Sequence, residues 1–149
     1  MKKLSSLLSF LGIFTVLFYY FVTQNEHLHS TNSQHMAHDV VRIPNEYTPP
    51  SVKIHVNQDN SGTWLLKIDT DNFTFAPEKV GLSEPSYTEG HAHLYVNGEK
   101  INRLYGEYYN LGELRSGSNQ IKVSLHSNNH GALMFKDSMI SDQTVVEVD

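Results

Sequence analysis

The stretch "HAHLYVNGEKINRLYG", residues 91–106, decides how this chain is read. Asn97-Gly98 suits a two-residue hairpin turn, whose central positions need positive φ, a conformation that Asn and Gly adopt at low cost. If these two residues form the loop, Val96 faces Glu99, Leu94 faces Ile101 and His93 faces Asn102. Residues opposite one another share a sheet face, and successive side chains on a strand alternate. Ala92, Leu94, Val96 and Ile101 then form the apolar face. His91, His93, Tyr95, Lys100 and Asn102 form the other, away from the core.

The same period of two runs through the rest of the C-terminal part. "SVKIHVN" puts Val52, Ile54 and Val56 on one face, and "TWLLKIDTD" alternates Trp64, Leu66 and Ile68 with polar neighbours. "NFTFAP" alternates Phe73 and Phe75, and "SNQIKVSLHS" alternates Ile121, Val123 and Leu125 with Lys122, Ser124 and His126. "ALMF" and "QTVVEV" add short strands, and no amphipathic helical run interrupts them. The expectation is an all-β domain over residues 50–149. Its architecture is an antiparallel immunoglobulin-like or cupredoxin-like sandwich of about seven to eight strands.

Ahead of it, two lysines precede a run without a charge from Leu4 to Val22. That run is longer than the apolar part of a removable signal and matches a spanning helix. No small-residue cleavage site follows it. Residues 1–23 are therefore expected to be an uncleaved transmembrane anchor. Lys2 and Lys3 would stay on the cytoplasmic side of the inner membrane, with the C-terminal domain in the periplasm or outside the cell. Residues 24–49 are polar and end in "RIPNEYTPP", which reads as a flexible linker stiffened by prolines.

The chain has no cysteine, so disulfides, thiolate metal sites and a cysteine nucleophile are excluded. The formal charge of −5 argues against nucleic acid as a partner. No catalytic triad order, phosphate loop or zinc-hydrolase motif is present, and no enzyme activity is expected.

The histidines carry the remaining signal. His55 stands alone on a strand, and the others gather in "HLH", "HMAH", "HAH" and "HSNNH". His91 and His93 point to one strand face and can share an ion, or can simply be polar residues on a wet face. His126 ends a strand in the outward register, and His130 lies in the following turn. If the two strands are neighbours, His91, His93, His126 and His130 can form one metal site. In the linker, His27, His29, His35, Met36 and His38 combine imidazole with thioether, which suits copper, with zinc as the alternative. Tyr105, Tyr108 and Tyr109 read as edge packing or a hydrogen-bonded corner.

The hairpin "GHAHLYVNGEKINRLYGEYYNL", followed by "LRSGSNQIKVSLHSNNH" and a closing strand, resembles a group of bacterial exported β-sandwich domains of uncharacterised type. Those carry a Gly-His-x-His-Leu strand, a downstream Asn-[DN]-His and often a His/Met-bearing N-terminal tether. The resemblance covers roughly residues 49–149 and implies a periplasmic metal-handling module, with copper leading. His91, His93 and His130 carry over by position, whereas His126 rests on strand register. A blue-copper centre needs a Cys ligand and is excluded.

Two readings follow. One is a membrane-tethered extracytoplasmic metal-binding module. The other is an immunoglobulin-like module that binds a protein partner and whose surface histidines are incidental. With ordinary imidazoles, metal affinity should fall steeply from about pH 7.5 to 5.5. Replacing His91 and His93 by Ala should leave the fold intact.

Overall fold

The structure, a computed structural model, describes residues 10–20 and 40–149. The chain divides into two compact units, residues 1–36 and 37–149. In the first, residues 10–20 are helical, and Phe10, Phe14 and Phe18 stack along one side at successive i, i+4 steps. The rest of the expected anchor and most of the expected linker, including its histidines, lie outside the described residues. Among the described residues no helix is long and apolar enough to cross a membrane.

The second unit is predominantly β. Its strands are β1 Val40–Ile43, β2 Ser51–Gln58, β3 Trp64–Asp71, β4 Thr74–Phe75, β5 Glu89–Val96 and β6 Glu99–Leu104. They continue with β7 Tyr108–Gly112, β8 Gly117–Ser127, β9 Ala132–Phe135, β10 Ser138–Met139 and β11 Ser141–Val148. A single 3-10 turn, Pro77–Lys79, lies between β4 and β5. One sheet is antiparallel, in the order β2-β3-β7. The other is mixed, with a path β1-β9-β8-β5-β4 to which β10, β11 and β6 are added.

The expectation of a wholly antiparallel fold is corrected at two edges. β1 runs parallel to β9, and β4 parallel to β5. Parallel partners need long connections, and both pairs have them: nearly the whole domain separates β1 from β9, and residues 76–88 separate β4 from β5. β1 also brings residues 40–43 into the folded unit, with Val41 and Ile43 buried, ahead of the expected start at residue 50.

The two sheets share one core. Val52, Ile54, Leu66 and Ile68 from the antiparallel sheet meet Leu94, Ile121, Val123, Leu125 and Leu133 from the mixed one. The period-two pattern specifies this packing, because a slip of one residue would turn every apolar side chain to the wrong face. A bond between the layers reinforces it: the backbone N–H of Ile54 donates to Asp142 Oδ2 at 2.9 Å.

The hairpin forms where expected, with φ of 53° at Asn97 and 84° at Gly98. Its register differs from the simple one. Val96 pairs with Glu99, Tyr95 with Lys100, Leu94 with Asn102 and His93 with Arg103, with a register shift between Leu94 and Tyr95. Such a bulge leaves one residue without an opposite number. Ile101 is that residue, and it is 47% exposed rather than in the core.

Candidate functional site

β5 lies between β8 on one side and β6 with β4 on the other. Across the β5–β8 ladder His91 stands opposite His126, His93 opposite Ser124 and Tyr95 opposite Lys122. Opposite residues share a face, so three histidines of two neighbouring strands lie together, as the outward register of His126 anticipates. The fourth, His130, reaches them from the turn after β8. Ring centroids are 4.9 Å apart for His91–His93, 5.8 Å for His91–His126, 5.2 Å for His91–His130 and 3.6 Å for His93–His126. The structure therefore gathers all four sequence-predicted histidines. His55, on the other sheet, sits 3.4 Å from Asp69 and takes no part.

The wet-face alternative is corrected. His91 is 0% exposed, and His93 and His126 are 1% exposed. Sequence alternation assigned them to the face away from the hydrophobic core, which holds. That face is nevertheless covered, because the rings bury one another and Tyr105 closes over His91 at 5.7 Å.

Backbone features fix the arrangement. A Cβ added at Gly90 would come 2.0 Å from the His126 carbonyl oxygen, so only glycine lets β5 and β8 approach this closely beside His91. His130 adopts a φ of 69°, and its N–H donates to Ser127 O while Ser127 N–H donates to Gly131 O. The turn is held from outside: Ser86 N–H donates to Ser127 Oγ at 2.7 Å and Gly81 N–H to Asn128 O at 2.9 Å.

The partners define the tautomers. His126 Nδ1 lies 3.2 Å from the His130 carbonyl oxygen, which can only accept, so Nδ1 carries the proton. In the neutral ring His126 Nε2 then accepts from Ser124 Oγ at 3.0 Å. Lys100 Nζ lies 3.2 Å from His93 Nε2, and an ammonium only donates. His93 Nε2 therefore accepts, and His91 Nε2, 3.0 Å away, donates to the same atom. This leaves His91 Nδ1 as a bare lone pair. Neither it nor His130 Nδ1, both buried, has a hydrogen-bond partner among the described residues.

The electrostatics are one-sided. Burial first, then the fields of His126, His130, Arg103 and Lys100, push His91 down to about 3. Burial, then His126, Lys100, His91 and Arg103, push His93 down to about 2. His130 is lowered by burial and by Arg103 and Lys100, and Lys100 itself by burial and Arg103. The acidic neighbour on this face of β5, Glu89, is held by Lys79 at 2.6 Å. His91, His93 and His130 are thus kept neutral, and the cluster is edged by two cations. Sequence reasoning placed Lys100 on the correct face but missed Arg103, because the bulge substitutes it for Asn102 opposite His93. Ser124 was legible from the alternation of β8.

Among the described residues no three His, Asp or Glu side chains converge on a point that a metal ion could take. Neither His91 Nδ1 nor His130 Nδ1 is engaged by a hydrogen bond among the described residues. Closing them around an ion would require the rings to turn. Comparison with family models, curated proteins and solved structures finds no match.

Proposed function

We propose that the folded domain is a metal-binding, copper-handling module of the extracytoplasmic space, tethered to the membrane through residues 1–23, with zinc as the alternative ion. One observation carries this reading. Two strands and a turn bring four imidazoles together, three of them buried and His130 half-buried, and the Nδ1 atoms of His91 and His130 have no hydrogen-bond partner among the described residues. A buried polar atom without a partner is costly, and a cluster of them calls for a ligand. Imidazole suits copper and zinc, and imidazoles kept neutral do not have to shed a proton to bind. The shared core of the two sheets supports an immunoglobulin-like or cupredoxin-like sandwich extended by its parallel edge strands.

Metal uptake by the full-length chain tests the reading. Equilibrium dialysis against Cu(I), kept reduced under anaerobic conditions, or against Zn(II), followed by mass spectrometry, should give one ion fewer for a His91→Asn/His130→Asn variant than for the native chain in at least one of the two metals. Circular dichroism would verify that the variant is folded. Equal uptake would sink the proposal. It would favour the second reading, a protein-interaction module, which is supported by Leu65 at 39% and Tyr108 at 60% exposure on the outer face of the antiparallel sheet.

A further inference from the structure

We infer that Lys100 and Arg103 make the histidine cluster selective for a monovalent soft cation, Cu(I), over divalent ions. The inference rests on reading the cluster as a metal site and specifies the charge class of its ligand. Three observations support it.

Every donor gathered in the cluster is an imidazole nitrogen, which carries no negative charge to offer an ion. Among the described residues the carboxylate beside His91 on this face, Glu89, is bound to Lys79. Nothing in the cluster therefore offsets the second charge of a divalent ion.

The charges that do face the rings are positive. Arg103 stands across from His93 on β6, Lys100 across from Tyr95, and no ion pair holds either among the described residues. Coulomb repulsion scales with the charge of the incoming ion, so each cation penalises a divalent ion twice as strongly as a monovalent one.

A single positive charge is already accepted at the cluster. The Lys100 ammonium donates to His93 Nε2 at 3.2 Å. An entering Cu(I) that displaces it exchanges one unit charge for another at that nitrogen. A divalent ion adds a charge beyond what the site holds. Imidazole is a competent ligand for copper, so softness does not oppose this choice.

The test uses the full-length chain with His27, His29, His35 and His38 replaced by Asn, so that the domain alone reports. Affinities for Cu(I) are measured anaerobically against a chromophoric chelator, and for Zn(II) against a fluorescent one. Both are repeated in a Lys100→Gln/Arg103→Gln variant, whose substitutions lie at the solvent edge of the cluster. Neutralising the pair should tighten Cu(I) by roughly 10-fold and Zn(II) by roughly 100-fold, the ratio expected when the cations act through charge. An equal gain for both ions, or native Zn(II) binding as tight as Cu(I), would overturn the selectivity and leave the metal site standing. Binding of neither ion by either protein would overturn the metal site itself, and the inference with it.

Discussion

His93 and His126 stack at a centroid distance of 3.6 Å although they are not opposite one another in the ladder. Ser124 occupies the position across from His93 and is small enough to let the diagonal ring lean over it. Diagonal pairs on adjacent strands are ordinarily about 7–8 Å apart, a gap that aromatic and long side chains can close. Two neutral imidazoles can stack in this way, whereas two protonated ones would repel. The contact thus links the packing of the cluster to its charge state.

This packing changes what replacing the pair should do. A His91→Ala/His93→Ala variant removes two fully buried rings from among Tyr105, His126 and His130 and leaves a void. The sequence expectation of an unperturbed fold gives way to a loss of about 1–3 kcal/mol for each ring. Urea denaturation of the metal-free protein should show a lower midpoint at an unchanged slope. An unaltered midpoint would mean that the rings contribute nothing to packing.

Gly90 is expected to be the least replaceable residue near the site. In Gly90→Ala the new methyl group meets a backbone carbonyl, which cannot swing aside as a side chain can. β5 and β8 must separate, which disturbs the His91–His126 pair next to it. A loss of about 3 kcal/mol or more is expected, at the upper end for overpacking. Thermal denaturation would measure it, and native-like stability would show that the strands can separate at little cost.

Asp142 gives a milder prediction. Its carboxylate accepts from Ile54 N–H across the gap between the sheets. Asp142→Ala leaves that partly buried N–H without its acceptor, for a cost of about 1–3 kcal/mol. Asp142→Asn, which keeps a carbonyl oxygen at the same place, should recover most of it. Equal losses in the two variants would place the effect elsewhere than in this bond.

Hydrophobic alternation made much of this legible. Val52, Ile54, Leu66, Ile68, Leu94, Val123 and Leu125 are buried as the period of two requires, and the Asn97-Gly98 turn falls in place. What could not be read was non-local. β1 is too short to stand out and forms only because β9 offers it an edge. The bulge at Leu94/Tyr95 exchanges Asn102 for Arg103 opposite His93, and nothing in the residue types announces it. The burial of the histidines was hidden for a related reason. Their cover is supplied by each other and by Tyr105, through strand pairing that local pattern does not encode.

The buried state of the cluster sets the pH dependence of the metal-free fold. His91 and His93 are held neutral down to about 3 and about 2, and His130 is shifted in the same direction. An unfolded imidazole titrates near 6.5, so below that pH the unfolded chain binds protons that the folded one refuses. Stability is therefore full above about pH 6.5 and falls as pH drops toward 3, by up to about 1.4 kcal/mol per pH unit for each histidine so shifted. The same depression removes proton competition for His91 and His93 between about pH 7.5 and 5.5, so the steep loss of metal affinity expected of ordinary imidazoles should not arise from these two. Urea midpoints recorded in chelator at pH 7.5, 6.5, 5.5 and 4.5 should decline below pH 6.5. The decline should be shallower in a His91→Asn/His93→Asn variant. A native midpoint that stays level to pH 4.5 would mean that these imidazoles take up protons within the fold, and the neutral cluster would have to be abandoned.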